Sequence, residues 1–316
     1  MFHNIKRFFF HLFNNPRQLF DILWCKSGAI IPDRLFLKVH FYNKMGYFLD
    51  LDNPHTFNEK LQWLKLYDRK DVYTTMVDKY EAKKYVESII GPEHIVPTLG
   101  VWDKPEDIDF DSLPDQFVLK VTHDSGGLVI CRDKAKLDKA AAIEKMRNGL
   151  RRNYFNQNRE WPYKNVKRRI IAEKYLGENL QDYRVYCFNG EPKMIYSYTN
   201  VSEEDGSKPE PTYCDIMSPE WEKMPFRQMC PPRGGVERPA NLDEMINIAK
   251  KLSEKIPFLR VDFYECNGLQ IGELTFYPGS GMSRFIPSEW DGKLGDWLIL
   301  PGSALNTPET GGGKFD

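Results

Sequence analysis

The most informative stretch of this 316-residue chain is Phe117-Val118-Leu119-Lys120-Val121-Thr122-His123-Asp124-Ser125-Gly126-Gly127. It begins with an apolar run that is typical of a buried strand, and a second apolar run follows at Leu128–Cys131. A flexible loop rich in small residues between two strands can offer backbone N–H groups to phosphates, and Lys120 would place its ammonium on a phosphate oxygen. An ordinary hairpin with one exposed lysine is the alternative interpretation.

Two well-known phosphate-binding loops do not fit this segment. A Walker A loop requires Gly-Lys followed by Ser or Thr and leads into a helix, whereas this loop leads into a strand. In protein kinases the lysine lies on a strand after the glycines, but Lys120 comes before them. The segment therefore predicts phosphate binding of a different type.

A second pair of strands places charged residues on one face. Arg260-Val261-Asp262 and Gly272-Glu273-Leu274-Thr275 are joined through a turn at Asn267-Gly268. Because alternate residues of a strand share a face, two carboxylates and a guanidinium would converge if the strands pair. This composition suits Mg²⁺ held by a few carboxylates together with nucleotide phosphates. A structural salt bridge on an exposed strand face is the alternative.

A weaker signal is Ile170-Ile171-Ala172-Glu173-Lys174-Tyr175-Leu176, where a glutamate ends an apolar strand and a polar hinge would read the edge of a base. The rest of the chain predicts an α+β protein. Thr56 and Glu59 have capping-box spacing at the start of a helix. The remaining pattern predicts helices over 71–88, 134–153 and 242–255, strands over 184–188, 194–198, 259–265 and 269–276, and a long loop over 202–240.

The composition excludes several classes of protein. Lys plus Arg number 44 and Asp plus Glu 45, and this balance argues against nucleic acid as a partner. A hydrophobic content of 41% is sufficient for a packed core and excludes wholesale disorder. The six cysteines lack C-x2-C spacing, and no window has the 18 or so consecutive apolar residues of a membrane span. We expect an ordered, soluble, cytoplasmic protein.

The first residues of the chain allow two interpretations. Phe2, Ile5, Phe9 and Leu12 recur at helical spacing near basic residues. A helix over residues 1–15 would either make peripheral contact with the inner face of the cell membrane or pack on the body of the protein.

In this order and spacing, the elements resemble the ATP-grasp superfamily and, more narrowly, the TupA-like (teichuronopeptide-type) ATP-grasp family of bacterial surface-polysaccharide gene clusters. The resemblance covers about residues 31–300. It implies an α+β ATP-grasp fold in which two α+β lobes clasp the nucleotide behind an N-terminal helical extension. The implied division is an extension (1–56), an N-terminal lobe (57–115), a small lobe with the glycine-rich loop (116–180), a C-terminal lobe with the metal site (181–302) and a flexible tail (303–316). The motifs that carry the resemblance are 56–63, 77–80, 117–127, 172–176, 182–184 and 260–279.

The resemblance also implies roles for individual residues, with ATP and Mg²⁺ as cofactors. Lys79 and Lys120 would contact the ATP phosphates, and Arg184 would reach them. Glu173 would accept a hydrogen bond from the adenine amino group. The loop that closes over the phosphates would contain His123, Ser125, Gly126 and Gly127, and the backbone hinge would be Lys174, Tyr175 and Leu176.

At the metal site the resemblance implies that Asp262 and Glu273 hold Mg²⁺, and that Arg260 stabilises a reacting acyl phosphate. Relatives often carry an asparagine two residues after the metal-binding glutamate, and in this chain Thr275 occupies that place. A threonine hydroxyl can face a metal or its water, so Thr275 is the candidate third ligand.

The function that the resemblance implies is ATP-dependent ligation of a carboxylate to an amine. The carboxylate would be a uronic acid of an acidic surface glycan, and the amine would come from an amino acid. Arg151, Arg152, Lys167, Arg168 and Arg284 would bind the glycan, or would form a solvated face. Two alternatives stay open. One is a non-catalytic glycan-binding or scaffold protein. The other is a glycosyltransferase that holds a metal and a nucleotide sugar through a D-x-D pair such as 50–52, 107–109 or 109–111.

Overall fold

The structure, a computed structural model, describes residues 24–25, 30–124, 127–178, 180–199, 212–266 and 268–302. Several predicted features lie outside these ranges: the helix of residues 1–15, the loop residues Ser125 and Gly126, residues 202–211 of the predicted long loop, Asn267 of the predicted turn, and the tail from residue 303. Within the described ranges, no helix is both long enough and apolar enough to cross a membrane.

Eight α-helices lie in the described part of the chain. The helix that starts at Phe57 begins where the sequence predicts. The Thr56 side chain accepts a hydrogen bond from the N–H of Glu59, and the Glu59 side chain accepts one from the N–H of Thr56. The helices are α1 (Asp33–Met45), α2 (Phe57–Tyr67), α3 (Asp71–Val77), α4 (Glu81–Ile90), α5 (Lys139–Arg151), α6 (Tyr154–Asn158), α7 (Leu242–Ser253) and α8 (Trp290–Trp297).

The continuous helix predicted over 71–88 is wrong, because the chain breaks between α3 and α4. The side chain of Asp78 accepts from the N–H groups of Tyr80 and Glu81, at 2.9 and 3.3 Å. An aspartate that binds its own downstream backbone in this way favours a turn over a helix. The break places Lys79 in the turn and Lys83 in the first part of α4.

A four-stranded antiparallel sheet contains the predicted glycine-rich hairpin. Its strands are β1 (Thr98–Trp102), β2 (Phe117–Val121), β3 (Val129–Cys131) and β4 (Ile170–Lys174), in the order β1-β4-β2-β3. Strand β1 was not predicted, and it pairs with β4 at the edge of the sheet. A separate apolar core forms where α5 packs on β2, and it includes Leu119 and Met146.

A five-stranded antiparallel sheet carries the predicted charged hairpin. Its strands are β5 (Gln181–Phe188), β6 (Glu191–Thr199), β7 (Tyr213–Met217), β8 (Phe258–Glu265) and β9 (Leu269–Thr275), in the order β7-β6-β5-β8-β9. The prediction of a loop over 202–240 is wrong for β7, which pairs with β6. Its apolar side chains Cys214 and Ile216 are buried in the largest core of the described chain.

One segment of the chain connects the two sheets. Strand β4 ends at Lys174 and β5 begins at Gln181, so residues 175–180 connect the sheets. A parallel bridge between Ile95 and Ile271 also links the segment before β1 to β9. Helices and antiparallel sheets in this arrangement confirm the predicted α+β class, and the connection positions the cleft described next.

Candidate functional site

One cleft of about 1170 Å³ contains side chains from both sheets. Most of the site residues predicted from the sequence line it, although they come from six separate segments of the chain. These residues are Lys79, Lys120, Glu173, Lys174, Tyr175, Leu176, Arg184, Arg260, Asp262, Glu273 and Thr275.

The first charged cluster joins three side chains from three elements: Lys120 on β2, Glu173 on β4 and Lys83 on α4. Along β2, Phe117, Leu119 and Val121 are buried in the core, so the alternation of the strand turns Lys120 to the other face. The Nζ atom of Lys120 lies 2.6 Å from Oε2 of Glu173 on β4. The Nζ atom of Lys83 lies 2.6 Å from Oε1 of the same carboxylate. Both oxygens of Glu173 are therefore paired with lysines.

The electrostatics of this cluster follow from its burial. Burial alone would raise the pKa of Glu173, but the ammonium groups of Lys120 and Lys83 outweigh it and lower the pKa to about 2. Burial lowers the pKa of Lys83, although Glu173 opposes the change. The cluster carries two cations and one anion, a net positive charge at the wall of the cleft that suits a phosphate group.

The second charged cluster lies on the paired strands β8 and β9. Asp262 is directly opposite Glu273, and Arg260 is opposite Thr275. The guanidinium of Arg260 contacts Oδ1 and Oδ2 of Asp262 at 2.6 and 2.5 Å and Oε1 of Glu273 at 2.9 Å. The hydroxyl of Thr275 donates to Glu273 Oε1 at 2.9 Å. The convergence expected from strand alternation is present.

The two carboxylates of this cluster differ in their proton affinity. Burial raises the pKa of Asp262 to about 6, although Arg260 opposes the change. Burial would also raise the pKa of Glu273, but Lys79 and Arg260 outweigh it and lower the pKa to about 2. Two adjacent acidic oxygens fit Mg²⁺ that is shared with phosphates, since Mg²⁺ in such sites takes one or two carboxylates. In the described ranges no cluster of three His, Cys, Asp or Glu side chains offers an all-protein cage.

Two further cations line the cleft beside the second cluster. Lys79 has its Nζ atom 3.5 Å from Oε2 of Glu273, and its N–H donates to the carbonyl of Thr122 at 3.1 Å. Arg184 is held by Asp182, with a shortest contact of 2.7 Å, and its guanidinium lies 4.1 Å from the centre of the Tyr198 ring. Both cations thus point into the cleft from fixed positions.

The segment predicted as the hinge connects the two sheets. The N–H of Lys174 donates to the carbonyl of Pro97 at 3.0 Å, so this donor is used within the protein. Tyr175 and Leu176 follow the end of β4 and line the cleft. The hydroxyl of Tyr175 donates to Glu178 at 2.6 Å.

Several predicted residues lie away from the lining of the cleft. His123 is buried, with its Nε2 atom 3.1 Å from the carbonyl of Arg152, and Gly127 also lies outside the lining. The D-x-D aspartates of residues 50–52 and 107–111 lie elsewhere, and Asp52 pairs with Arg34 at 2.6 Å. The five basic residues proposed for glycan binding also lie outside the lining: Arg151, Arg152, Lys167, Arg168 and Arg284.

The sequence analysis missed four charged residues of the lining: Arg132, Glu160, Glu178 and Arg233. It also missed Lys83, which pairs with Glu173 from outside the lining. Lys83 follows Lys79 by four residues, and this spacing at the start of a helix was a usable signal. Glu160 and Arg233 come from irregular segments, where no periodic pattern marks the direction of a side chain.

A family model described as TupA-like ATPgrasp matches residues 59–299. No curated protein matches the chain at a significant level.

Among solved structures, the chain is similar to a D-alanine–D-alanine ligase from Bacillus anthracis, with 21% identity, a TM-score of 0.42, and coverage of 71% of this chain and 66% of that one. The structure of a D-alanine–D-alanine ligase from Bacillus anthracis complexed with ATP has 19% identity and a TM-score of 0.38, with coverage of 64% of this chain and 55% of that one. The structure of the ATP-grasp ligase PsnB with its minimal precursor has 13% identity and a TM-score of 0.39, with coverage of 72% of this chain and 61% of that one. The chain thus spans about two thirds or less of these structures.

Proposed function

Because the chain belongs to the TupA-like ATP-grasp family, we propose that it is an ATP-dependent carboxylate–amine ligase. The proposed reaction transfers the γ-phosphoryl group of ATP to a carboxylate, and an amine then displaces phosphate from the resulting acyl phosphate. One observation carries the proposal: Lys120 paired with Glu173 on one sheet and the carboxylate pair Asp262 and Glu273 on the other line the same cleft. Phosphoryl transfer depends on such positioning and charge neutralisation more than on covalent chemistry by the protein.

The proposed roles around the phosphates follow from the ion pairs. Lys79 and Lys120 would bind phosphate oxygens, since both ammonium groups line the cleft and are held there by carboxylates. Asp262 and Glu273 would hold Mg²⁺ with Thr275 beside them, because their oxygens are cross-strand neighbours. Bound Mg²⁺ would neutralise phosphate charge.

Arg260 and Arg184 would bind the charge that develops on the reacting carboxylate. Arg260 is buried at the wall of the cleft and bonded to both proposed metal-site carboxylates. Arg184 lies opposite Asp262 on the neighbouring strand β5. Fixed cations in a water-poor site stabilise developing charge more strongly than they would in water.

The base of the nucleotide would lie at the connection between the sheets. We place adenine against Tyr175 and Leu176, with Glu173 near its amino group. Because both oxygens of Glu173 bind lysines, this role requires one lysine to share or release the carboxylate. The division into lobes at residues 57–115, 116–180 and 181–302 belongs to the same proposal.

For the carboxylate substrate we propose a uronic acid of an acidic surface glycan. The supporting feature is the part of the cleft that is lined by Arg233, Tyr198 and Tyr213. The buried carboxylate of Asp215 accepts from the N–H groups of Arg233 and Gly234, at 3.0 and 3.1 Å, and this holds the segment in place. Aromatic faces beside a guanidinium suit an anionic sugar ring.

Calorimetric titration with ATP, UDP-glucose and UDP-glucuronate, each with Mg²⁺, tests the proposed function. We expect ATP binding that depends on Mg²⁺ and that is lost in Lys120→Ala and Glu273→Gln. Lys139→Ala is the matched control, since Lys139 is an exposed lysine that pairs with Asp111 outside the cleft. Binding of a UDP-sugar without ATP would overturn the ligase and favour a glycosyltransferase.

We further propose that the protein acts in the cytoplasm, where ATP is available, with residues 1–15 in peripheral contact with the membrane. The support is the sequence spacing of Phe2, Ile5, Phe9 and Leu12 near basic residues. Co-sedimentation with anionic vesicles should decrease when residues 1–15 are deleted. Unchanged partitioning would contradict the membrane contact.

A further inference from the structure

A buried carboxylate that the proposed roles do not use lies at the end of the cleft near α6. Helix α6 ends at Asn158, and Arg159 adopts a left-handed backbone with a φ of 57°. This conformation turns Arg159 towards α1, where its guanidinium lies 4.1 Å from the centre of the Phe36 ring and its Nε atom 2.9 Å from Asp33. The next residue, Glu160, lines the cleft.

Glu160 is only 2% exposed and forms a single side-chain hydrogen bond to a neutral group, accepting from the Ser280 hydroxyl at 2.7 Å. Within the part of the chain that the structure describes, no cation forms an ion pair with it. Burying a carboxylate without a cationic partner is costly, and such groups concentrate at functional sites. Burial raises the pKa of Glu160, although Lys65 opposes the change.

The nearest buried cation is committed to other acceptors. The ammonium of Lys65 donates to Gln62 Oε1 at 3.0 Å and to the carbonyls of Asn158 and Ser280 at 2.9 Å. Gln62 also donates to the carbonyls of Ser280 and Gly281. These bonds fix the turn that carries the Ser280 hydroxyl, and they leave the charge of Glu160 available to the cleft.

The surroundings of Glu160 suit a small cation. Tyr154 and Tyr163 line the cleft beside it, with ring centres 4.6 Å apart, and aromatic faces attract ammonium groups. Arg260 and Glu273 both act electrostatically on Glu160, so this end of the cleft adjoins the proposed reaction centre. An ammonium held here would lie close to the activated carboxyl group.

We propose that Glu160 binds the ammonium group of the amino acid substrate, between the Tyr154–Tyr163 pair and the turn at Ser280. This inference rests on the proposed ligase function, and it assigns a second substrate site that is separate from the nucleotide contacts. Glu160 thereby becomes a residue that selects a primary amine over a neutral or anionic group.

The test uses the full-length protein saturated with Mg²⁺ and the non-hydrolysable analogue AMP-PNP. Each of the twenty amino acids and its N-acetylated counterpart is titrated by calorimetry. We expect at least one amino acid to bind, and its N-acetylated form, which lacks the ammonium group, to bind at least tenfold more weakly. Glu160→Gln should weaken amino acid binding at least tenfold and leave AMP-PNP affinity unchanged. The matched control is Asp68→Asn, which changes a buried carboxylate outside the cleft.

The outcomes separate this inference from the proposed function. If AMP-PNP binds but no amino acid does, or if Glu160→Gln binds the amino acid as wild type, the assignment of Glu160 is overturned while the nucleotide site stands. If AMP-PNP does not bind, the proposed function fails first and this inference fails with it. Should Glu160→Gln not fold, Glu160→Asp keeps the charge on a shorter side chain and should bind the amino acid with reduced affinity; unchanged affinity would count against the proposal.

Discussion

Glu273 contacts a guanidinium, a hydroxyl and an ammonium from three different residues, so its charge determines how the cleft is organised. If its carboxylate holds Mg²⁺, Glu273→Gln should reduce the ratio of ATP affinity with Mg²⁺ to ATP affinity in EDTA by tenfold or more. Circular dichroism should be unchanged, since glutamine can still accept from Thr275. Glu265→Gln, on the same sheet but outside the cleft lining, should keep the wild-type ratio. An equal ratio in both variants would reject the metal assignment.

The pairing of Glu173 with two lysines predicts a dependence of stability on pH. Its pKa falls from an ordinary 4.5 to about 2 in the folded protein, a difference that corresponds to roughly 3 kcal/mol of folding free energy. A carboxyl group whose pKa is lowered by folding stabilises the fold at pH values above its pKa in the unfolded state. That contribution is lost as the pH falls from about 4.5 to about 2. The gap in unfolding free energy between wild type and Glu173→Gln, from urea denaturation, should therefore narrow below pH 4.5. A constant gap from pH 7 to pH 3 would contradict the pairing.

Among the helices, the contact of α8 with α2 requires a residue without a side chain. A Cβ atom on Gly295 would contact the carbonyl oxygen of His55 and lie 2.9 Å from the carbonyl carbon of Thr56, both backbone atoms that cannot move aside. Gly295→Ala should therefore lower the free energy of unfolding by about 1–3 kcal/mol, as overpacking does. Gly292→Ala, on the same helix with open space around it, should raise it by roughly 0.5–1 kcal/mol. Chemical denaturation measures both, and equal effects would contradict this packing.

The elements differ in how far local sequence predicts them. The start of α2 is predictable because Thr56 and Glu59 bind each other's backbone across three residues. The break between α3 and α4 depends on one hydrogen-bonding side chain, Asp78, inside a pattern that is otherwise helical. Strand β7 was missed because its register depends on β6 and not on its own polar, proline-rich surroundings. Local pattern therefore predicts the elements whose determinants are local.

At the scale of the whole molecule, the family match confirms the predicted ATP-grasp family, a family of ATP-dependent ligases, and with it the fold class. The strand patterns selected Lys120, Asp262 and Glu273, the resemblance assigned their roles, and the structure brings them into one cleft. The place of Glu160 in the cleft could not be predicted from the sequence. The direction of its side chain depends on the left-handed backbone of Arg159 and on Ser280, which is 120 residues away. Contacts between distant segments determine that end of the cleft.

Because the proposed nucleotide site takes residues from both sheets, ATP should stabilise the molecule only when both contribute. At one hundred times its dissociation constant, a ligand raises the free energy of unfolding by about 2.7 kcal/mol. Thermal denaturation of the wild type with Mg²⁺ and ATP should thus show a Tm several degrees above that of the unliganded protein. At the same ATP concentration, Lys120→Ala on the four-stranded sheet and Asp262→Asn on the five-stranded sheet should each lose most of that increase, measured against their own unliganded Tm.

Lys167→Ala is the control for this experiment, since Lys167 pairs with Asp103 on the exterior and lies outside the cleft. It should keep the full increase in Tm. A loss confined to variants of one sheet would mean that the nucleotide binds that sheet alone. The two lobes would then not clasp a common ligand, and the ATP-grasp arrangement proposed for Lys120 and Asp262 would have to be abandoned. A loss from both sheets requires a ligand that spans the cleft, because the two side chains belong to separate sheets and charged clusters.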